Sequence, residues 1–198
     1  MTYDFFAMMS RMKYIERWAL MRNSTSENIS EHSLEVAMIA HALAVIGKVR
    51  FGKDVNPEKA ALLGIYHDCT EIITGDMPTP VKYYNKEIKN AYKEIEREAA
   101  KHLLSMLPED MRTYYEEVLL PSGHGEMEEL CRYAKAADKL SALIKCIEEE
   151  KAGNREFVKA METVKTSVET YDLPEMQVFL EEFLPGYYKT LDEISEAF

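Results

Sequence analysis

Positive charge is scarce in this sequence. Its 198 residues carry 24 Lys and Arg against 35 Asp and Glu, a formal net charge of -11. Gripping a long nucleic-acid backbone takes a basic surface, so this charge argues against such a role. A single nucleotide stays possible, because one cation or metal neutralises its phosphate. Glycine and proline are few, 8 and 7, while Ala, Leu, Met, Glu and Lys abound, which points to helix. The 3 cysteines, Cys69, Cys131 and Cys146, form no C-x-x-C pair. Two of them share one predicted helix at roughly 22 Å separation, too far for a disulfide, so a reducing compartment fits. No apolar run approaches the ~18 residues of a membrane span. The start, Met-Thr-Tyr-Asp-Phe-Phe, lacks the basic region and apolar core of a signal peptide. Together these absences predict a cytoplasmic chain with neither a membrane nor a nucleic-acid polymer as partner.

What is present is apolar periodicity at helical spacing, with no repeat, linker or convincing strand. The size suits a single domain over 1–198. Residues 3–22 read as one or two short helices with Phe5, Phe6, Met9 and Met12 facing the core. Asn23 to Asn28 reads as a loop. Ser30 is the expected cap of a helix from Glu31 to about Val49, whose apolar stripe is Leu34, Ala37, Met38, His41, Ala42 and Val45. His41, in mid-stripe, is expected to be a core residue. Asn56-Pro57 opens a helix over Glu58 to Thr74, apolar nearly all round and ended by Gly75. Further helices are expected over Asn85 to Leu107, from there to about Leu120, and over Glu126 to Glu150. Two or three more follow, punctuated by Pro174 and Pro185.

One stretch carries the chemistry. Tyr66-His67-Asp68-Cys69-Thr70-Glu71 sets a histidine beside an aspartate in an otherwise apolar helix, in a chain with only 5 histidines. Glu71 lies at i+3 from Asp68 and i+4 from His67, so all three side chains reach one pocket. Burying that charge is costly unless a metal or partner compensates it. His32, in the first turn of its helix, and Asp138, near the apolar stripe of a later one, are further candidate ligands. Two imidazoles and two carboxylates suit a borderline divalent ion such as Zn, Mn, Co or Fe rather than Ca or Mg. Arg17-Trp18 pairs a cation for an anionic substrate with the only tryptophan. Asp76-Met77-Pro78-Thr79-Pro80 is a loop stiffened by two prolines.

His32, His67-Asp68 and Asp138 match, in order and approximate spacing, the H…HD…D pattern of HD-domain metal-dependent phosphohydrolases. Arg17 to Asn23, Ser30 to Leu34, Tyr66 to Asp68, Gly75 to Tyr83 and Leu191 to Ser195 bring the likeness closer. Over essentially the whole chain the sequence resembles the bacterial HD-domain 5'-deoxynucleotidases. That resemblance implies an all-α bundle of roughly nine to ten helices around a central metal site, and a homodimer. It also implies one divalent transition metal and hydrolysis of deoxyribonucleoside 5'-monophosphates.

Carried onto this sequence, the resemblance makes His32, His67, Asp68 and Asp138 the metal ligands and Glu71 the general acid/base. Arg17 would orient the phosphate and Trp18 would contact the nucleoside. Asp76, Met77, Pro78 and Thr79 would line the sugar pocket, and His32, Asp68 and Asp138 would also meet the substrate. Two other readings keep the site: hydrolysis of a triphosphate or guanosine tetraphosphate, and a non-catalytic helical protein with a structural metal. Few basic residues lie near the motifs to hold a polyphosphate, and a structural site has no need of Glu71.

Overall fold

The computed structural model describes residues 2–195. In chain order its helices are α1 (Phe5–Met9), α2 (Ile29–Phe51), α3 (Pro57–Tyr66), α4 (Glu71–Thr74), α5 (Thr79–Lys82) and α6 (Lys86–Ser105). They continue as α7 (Glu109–Leu119), α8 (Glu126–Lys151), α9 (Val158–Glu169), α10 (Pro174–Glu182) and α11 (Leu191–Ser195). Three 3-10 segments interleave with them. Among the described residues the only extended pairing is an isolated antiparallel bridge, Glu16 to Asn28. The architecture is the all-helical one the sequence implies.

Local chemistry explains the helix starts. Asn28 caps α2, accepting from the N–H groups of Ser30 and Glu31 at 3.0 and 3.2 Å. Glu31 returns a bond to the Asn28 N–H at 3.2 Å, completing a capping box. The cap is therefore Asn28, not Ser30. Asn56 caps α3 through the Lys59 N–H at 2.9 Å, with Pro57 as the first helical residue. Gly52 closes α2 at a φ of +66°.

The long helices α2 and α8 form the centre, with α3 packed on both. From α2 the core receives Ile29, Val36, Ile39, Ala40 and Leu43, and from α8 Leu130, Tyr133, Leu140, Ile144 and Ile147. The expected stripe of α2 is largely its outer face: Leu34 and Met38 are 60% and 59% exposed, and His41 is exposed too. This helix is apolar on two faces, and packing selects the other one. Phe6 also points outward, whereas Phe5 and Met12 are buried.

The second departure lies at the chemistry. The predicted helix Glu58 to Thr74 is interrupted: α3 stops at Tyr66, and residues 67–70 form a turn before α4. Bonds there close at i+3, from Cys69 N to Tyr66 O, Glu71 N to Asp68 O and Ile72 N to Cys69 O. This tightening advances each residue further around the axis than an α-helix does. Nor is the segment buried all round, since Leu62, Ile65 and Ile73 are exposed.

Candidate metal centre

Gly64 brings α3 against α2. A Cβ there would lie 2.6 Å from the Ala37 Cα, so only glycine allows the approach that sets the His67 turn beside His32. Their ring centroids stand 5.1 Å apart. Each ring is held from behind. The His67 Nδ1–H donates to the Gly64 carbonyl at 2.8 Å. The His32 Nδ1 lies 3.0 Å from the Ser141 hydroxyl, whose own proton goes to Glu35 at 2.6 Å, so Ser141 accepts from His32. Among the described residues, both Nε2 atoms are buried and find no hydrogen bond. Such backing by carbonyls and hydroxyls is how metal-binding imidazoles are aimed.

Carboxylates surround those two nitrogens. Asp68 Oδ2 lies 3.0 Å from the His67 Nε2 and 3.5 Å from the His32 Nε2. Asp138 Oδ1 lies 3.2 Å from the His32 Nε2. Donor atoms of His32, His67 and Asp68 all fall within 4.8 Å of one another; Asp138 borders this triad and also faces Arg17 Nη2 at 3.8 Å. Burial and Arg17 would lower the His32 pKa, but Asp138, Asp68 and Glu27 outweigh them and push it up to about 10. Burial likewise opposes charge on Asp68, yet His67 and His32 hold its carboxyl well below the usual range. The cluster thus demands positive charge at its centre, and two orphaned nitrogens with two carboxylates fit a divalent transition ion.

Glu71 is 5% exposed, and its Oε2 finds no hydrogen-bond partner among the described residues. Burial first, then the Asp68 and Asp76 charges, push its pKa up to about 9. These surroundings favour its protonated form. Cys69 beside it is buried and pushed up to about 12, chiefly by burial, so it is an inert thiol. His67, Thr70, Lys135 and Asp138 border a half-open cavity of about 190 Å³, whose other walls are apolar groups such as Leu63, Tyr66 and Leu119.

Arg17 and Trp18 reach the same site. Arg17 is drawn electrostatically to Glu27, Asp138, Asp68 and Asp76. Trp18 is the one non-glycine residue with positive φ among the described residues, at +57°, a conformation that costs about 1–3 kcal/mol for a bulky side chain. Asp76 of the proline loop faces this segment: burial pushes its carboxyl up, and Arg17 with the Trp18 backbone partly oppose that shift. Thr74 and the Gly75 carbonyl meet the Tyr92 hydroxyl at 3.2 and 3.3 Å, anchoring the loop on α6. Met77 and Pro78 are half-buried beside Asp76, while Thr79 is exposed at the start of α5.

Residues 4–187 match the family described as 5'-deoxynucleotidase YfbR-like. The chain belongs to that family. It is 47% identical to 5'-deoxynucleotidase YfbR of Escherichia coli over 192 residues, 97% of this chain and 96% of that protein. It is 50% identical to 5'-deoxynucleotidase VP0926 of Vibrio parahaemolyticus over 191 residues, 96% of this chain and 97% of the other. An HD-domain phosphohydrolase from Listeria innocua shares the fold at a TM-score of 0.79 and 24% identity, covering 93% of this chain and 88% of that one. The cyanophage S-2L HD phosphohydrolase DatZ, solved with dA and one catalytic Zn2+ ion, superposes at a TM-score of 0.60 with 21% identity, covering 93% and 96%.

In this YfbR-like protein several supporting residues escape the sequence reading. Along α8, Asp138, Ser141, Lys145 and Glu149 follow one another at helical spacing on one face. Asp138 and Ser141 serve His32. Lys145 and Glu149 pair with each other and grip the loop that precedes α2. Lys145 donates to the Thr25 carbonyl, and Glu149 accepts from the Ser24 N–H at 2.9 Å and from Asn154 at 2.7 Å. Polar residues at this spacing within an apolar helix are the clue that would have exposed the clamp. Glu27, in the stretch read as a plain loop, has no comparable local mark.

Proposed function

We propose that the protein hydrolyses deoxyribonucleoside 5'-monophosphates to the deoxyribonucleoside and phosphate. One divalent transition metal would be held by His32, His67, Asp68 and Asp138. The observation that carries this reading is the pair of buried, unbonded imidazole Nε2 atoms facing Asp68 and Asp138. When bound, such an ion supplies charge stabilisation for phosphoryl oxygens and lowers the pKa of water toward ~7.

The chain's own groups complete the reaction. Arg17 meets the phosphate through the guanidinium edge that Glu27 leaves free. Water adds at phosphorus as the bond to the 5'-oxygen breaks, Glu71 delivers its proton to that leaving oxygen, and the proton the water sheds returns to Glu71. Trp18 offers a base its face, which suits several bases. Asp76 to Thr79, stiffened by proline and anchored on Tyr92, read the sugar and disfavour a 2'-hydroxyl. The same reading places the enzyme in the cytoplasm as a homodimer. Exposed Leu34 and Met38 on α2, with Leu62 and Ile65 on α3, offer apolar surface for the second copy.

The test combines metal analysis of purified protein with phosphate release from a nucleotide panel, with and without chelator. Several deoxyribonucleoside 5'-monophosphates should be cleaved, with ribonucleotides and 3'-monophosphates cleaved poorly. His67→Ala and Asp138→Ala should lose metal and turnover together while staying helical. Faster turnover of triphosphates, or retention of one tight metal equivalent by both variants, would overturn the assignment.

A further inference from the structure

Glu27 occupies an unusual place for a loop residue. One of its oxygens, Oε2, accepts from both Arg17 Nη1 at 3.0 Å and Trp18 Nε1 at 2.9 Å. The other, Oε1, lies 3.6 Å from the His32 Nδ1. A single carboxylate therefore joins the two proposed substrate contacts to the back of the metal cluster. Its side chain is 13% exposed, and among the described residues its ion-pair partners are Arg17 and His32.

We infer that Glu27 is a positioning residue, holding Arg17 and Trp18 in the one arrangement that receives the nucleotide. The inference rests on the substrate roles proposed above for those two residues. Three features support it. Trp18 sits at a positive φ that a bulky residue does not adopt unaided, and the indole N–H bond to Glu27 helps retain it there. The Phe157 ring, 5.3 Å away by centroid, the Asn23 amide and Met21 N–H on the Trp18 carbonyl, and the Arg17 guanidinium over the indole add further restraint.

The second feature is charge. Arg17 stands among Glu27, Asp138, Asp68 and Asp76. Without Glu27 the guanidinium would be drawn onto Asp138, which its Nη2 already approaches at 3.8 Å. It would then compete for a proposed metal ligand instead of facing a phosphate. By occupying Nη1, Glu27 keeps the cation between the two tasks.

The third feature separates this role from folding. The backbone pairing of the segment uses main-chain atoms alone: Arg17 N–H to the Glu27 carbonyl at 2.8 Å and Ile29 N–H to the Ile15 carbonyl at 3.0 Å. Truncating the Glu27 side chain leaves both bonds in place.

Trp18 is the only tryptophan, so its fluorescence reports this arrangement directly. The experiment compares wild type, Glu27→Ala, Glu27→Gln and Arg17→Ala for Trp18 emission, metal content and steady-state kinetics on two deoxyribonucleoside 5'-monophosphates. Glu27→Ala should shift the emission and lower kcat/KM about tenfold or more on both nucleotides, mostly through KM, with metal retained. Glu27→Gln keeps an acceptor for the indole and should restore the emission and part of the KM. Wild-type kinetics in Glu27→Ala beside an impaired Arg17→Ala would overturn the inference and spare the substrate reading. Wild-type kinetics in Arg17→Ala would instead overturn that reading and the inference with it. Parallel loss of metal, kcat and KM in Glu27→Ala, unrepaired by Gln, would make Glu27 a scaffold residue and refute the positioning role.

Discussion

Gly64 approaches Ala37 so closely that a Cβ at position 64 would lie 2.6 Å from the Ala37 Cα and 2.8 Å from its nitrogen. Both are backbone atoms and cannot turn aside. Gly64→Ala should force α3 away from α2 and destabilise the fold by about 1–3 kcal/mol or more. The Gly64 carbonyl also holds the His67 ring, so displacement reaches the proposed ligand three residues on. Thermal unfolding and metal titration of the variant should both weaken. An unchanged Tm with unchanged metal affinity would show that the helices separate freely.

Glu71 gives the second expectation. Burial and neighbouring acids raise its pKa to about 9, so it is protonated, and able to donate, below that value. The donating form disappears as pH rises. A divalent ion beside Asp68 offsets part of the repulsion and moves the limb to lower pH. The wild-type kcat should therefore decline on the alkaline side. Glu71→Gln should bind metal, lose ~100-fold in kcat and lack that limb. Turnover within a few-fold of wild type would assign the leaving-group proton elsewhere.

The Lys145–Glu149 clamp predicts acid sensitivity. Burial would raise the Glu149 pKa, but Lys145, Asn154 and Ser24 outweigh it and hold it at about 2. A carboxylate depressed on folding contributes its stability fully above the unfolded value near 4, and loses it as pH falls toward 2. Glu149→Gln leaves Lys145 buried and unmatched, and should cost about 3–5 kcal/mol at pH 7 while flattening the acid dependence. Urea unfolding of both proteins between pH 3 and pH 7 measures each effect.

How far the sequence reached follows from the range of each interaction. The Asn56-Pro57 start and the Gly75 stop are local chemistry, and both stand where expected. His32, His67 and Asp68 were legible because ionisable residues in apolar helices need a reason, and the structure gathers them. Two errors have one origin. Leu34, Met38 and His41 were assigned inward because periodicity finds an apolar stripe but cannot choose between two on one helix. The turn after Tyr66 carries neither glycine nor proline, so packing rather than composition breaks the helix there. Glu27 was invisible because its partners lie across a single β-bridge, a contact no local pattern announces.

The gathered donors come from α2, from the turn after α3 and from α8. An unfolded chain holds them far apart. An ion that prefers the assembled set adds RT ln(1 + [M]/Kd) to the unfolding free energy, ~2.7 kcal/mol at a hundred times Kd. Metal supply and protein lifetime are then coupled quantities. In metal-poor surroundings the apoprotein would open more often and fall sooner to proteases, so starvation would lower the amount of the protein as well as its activity.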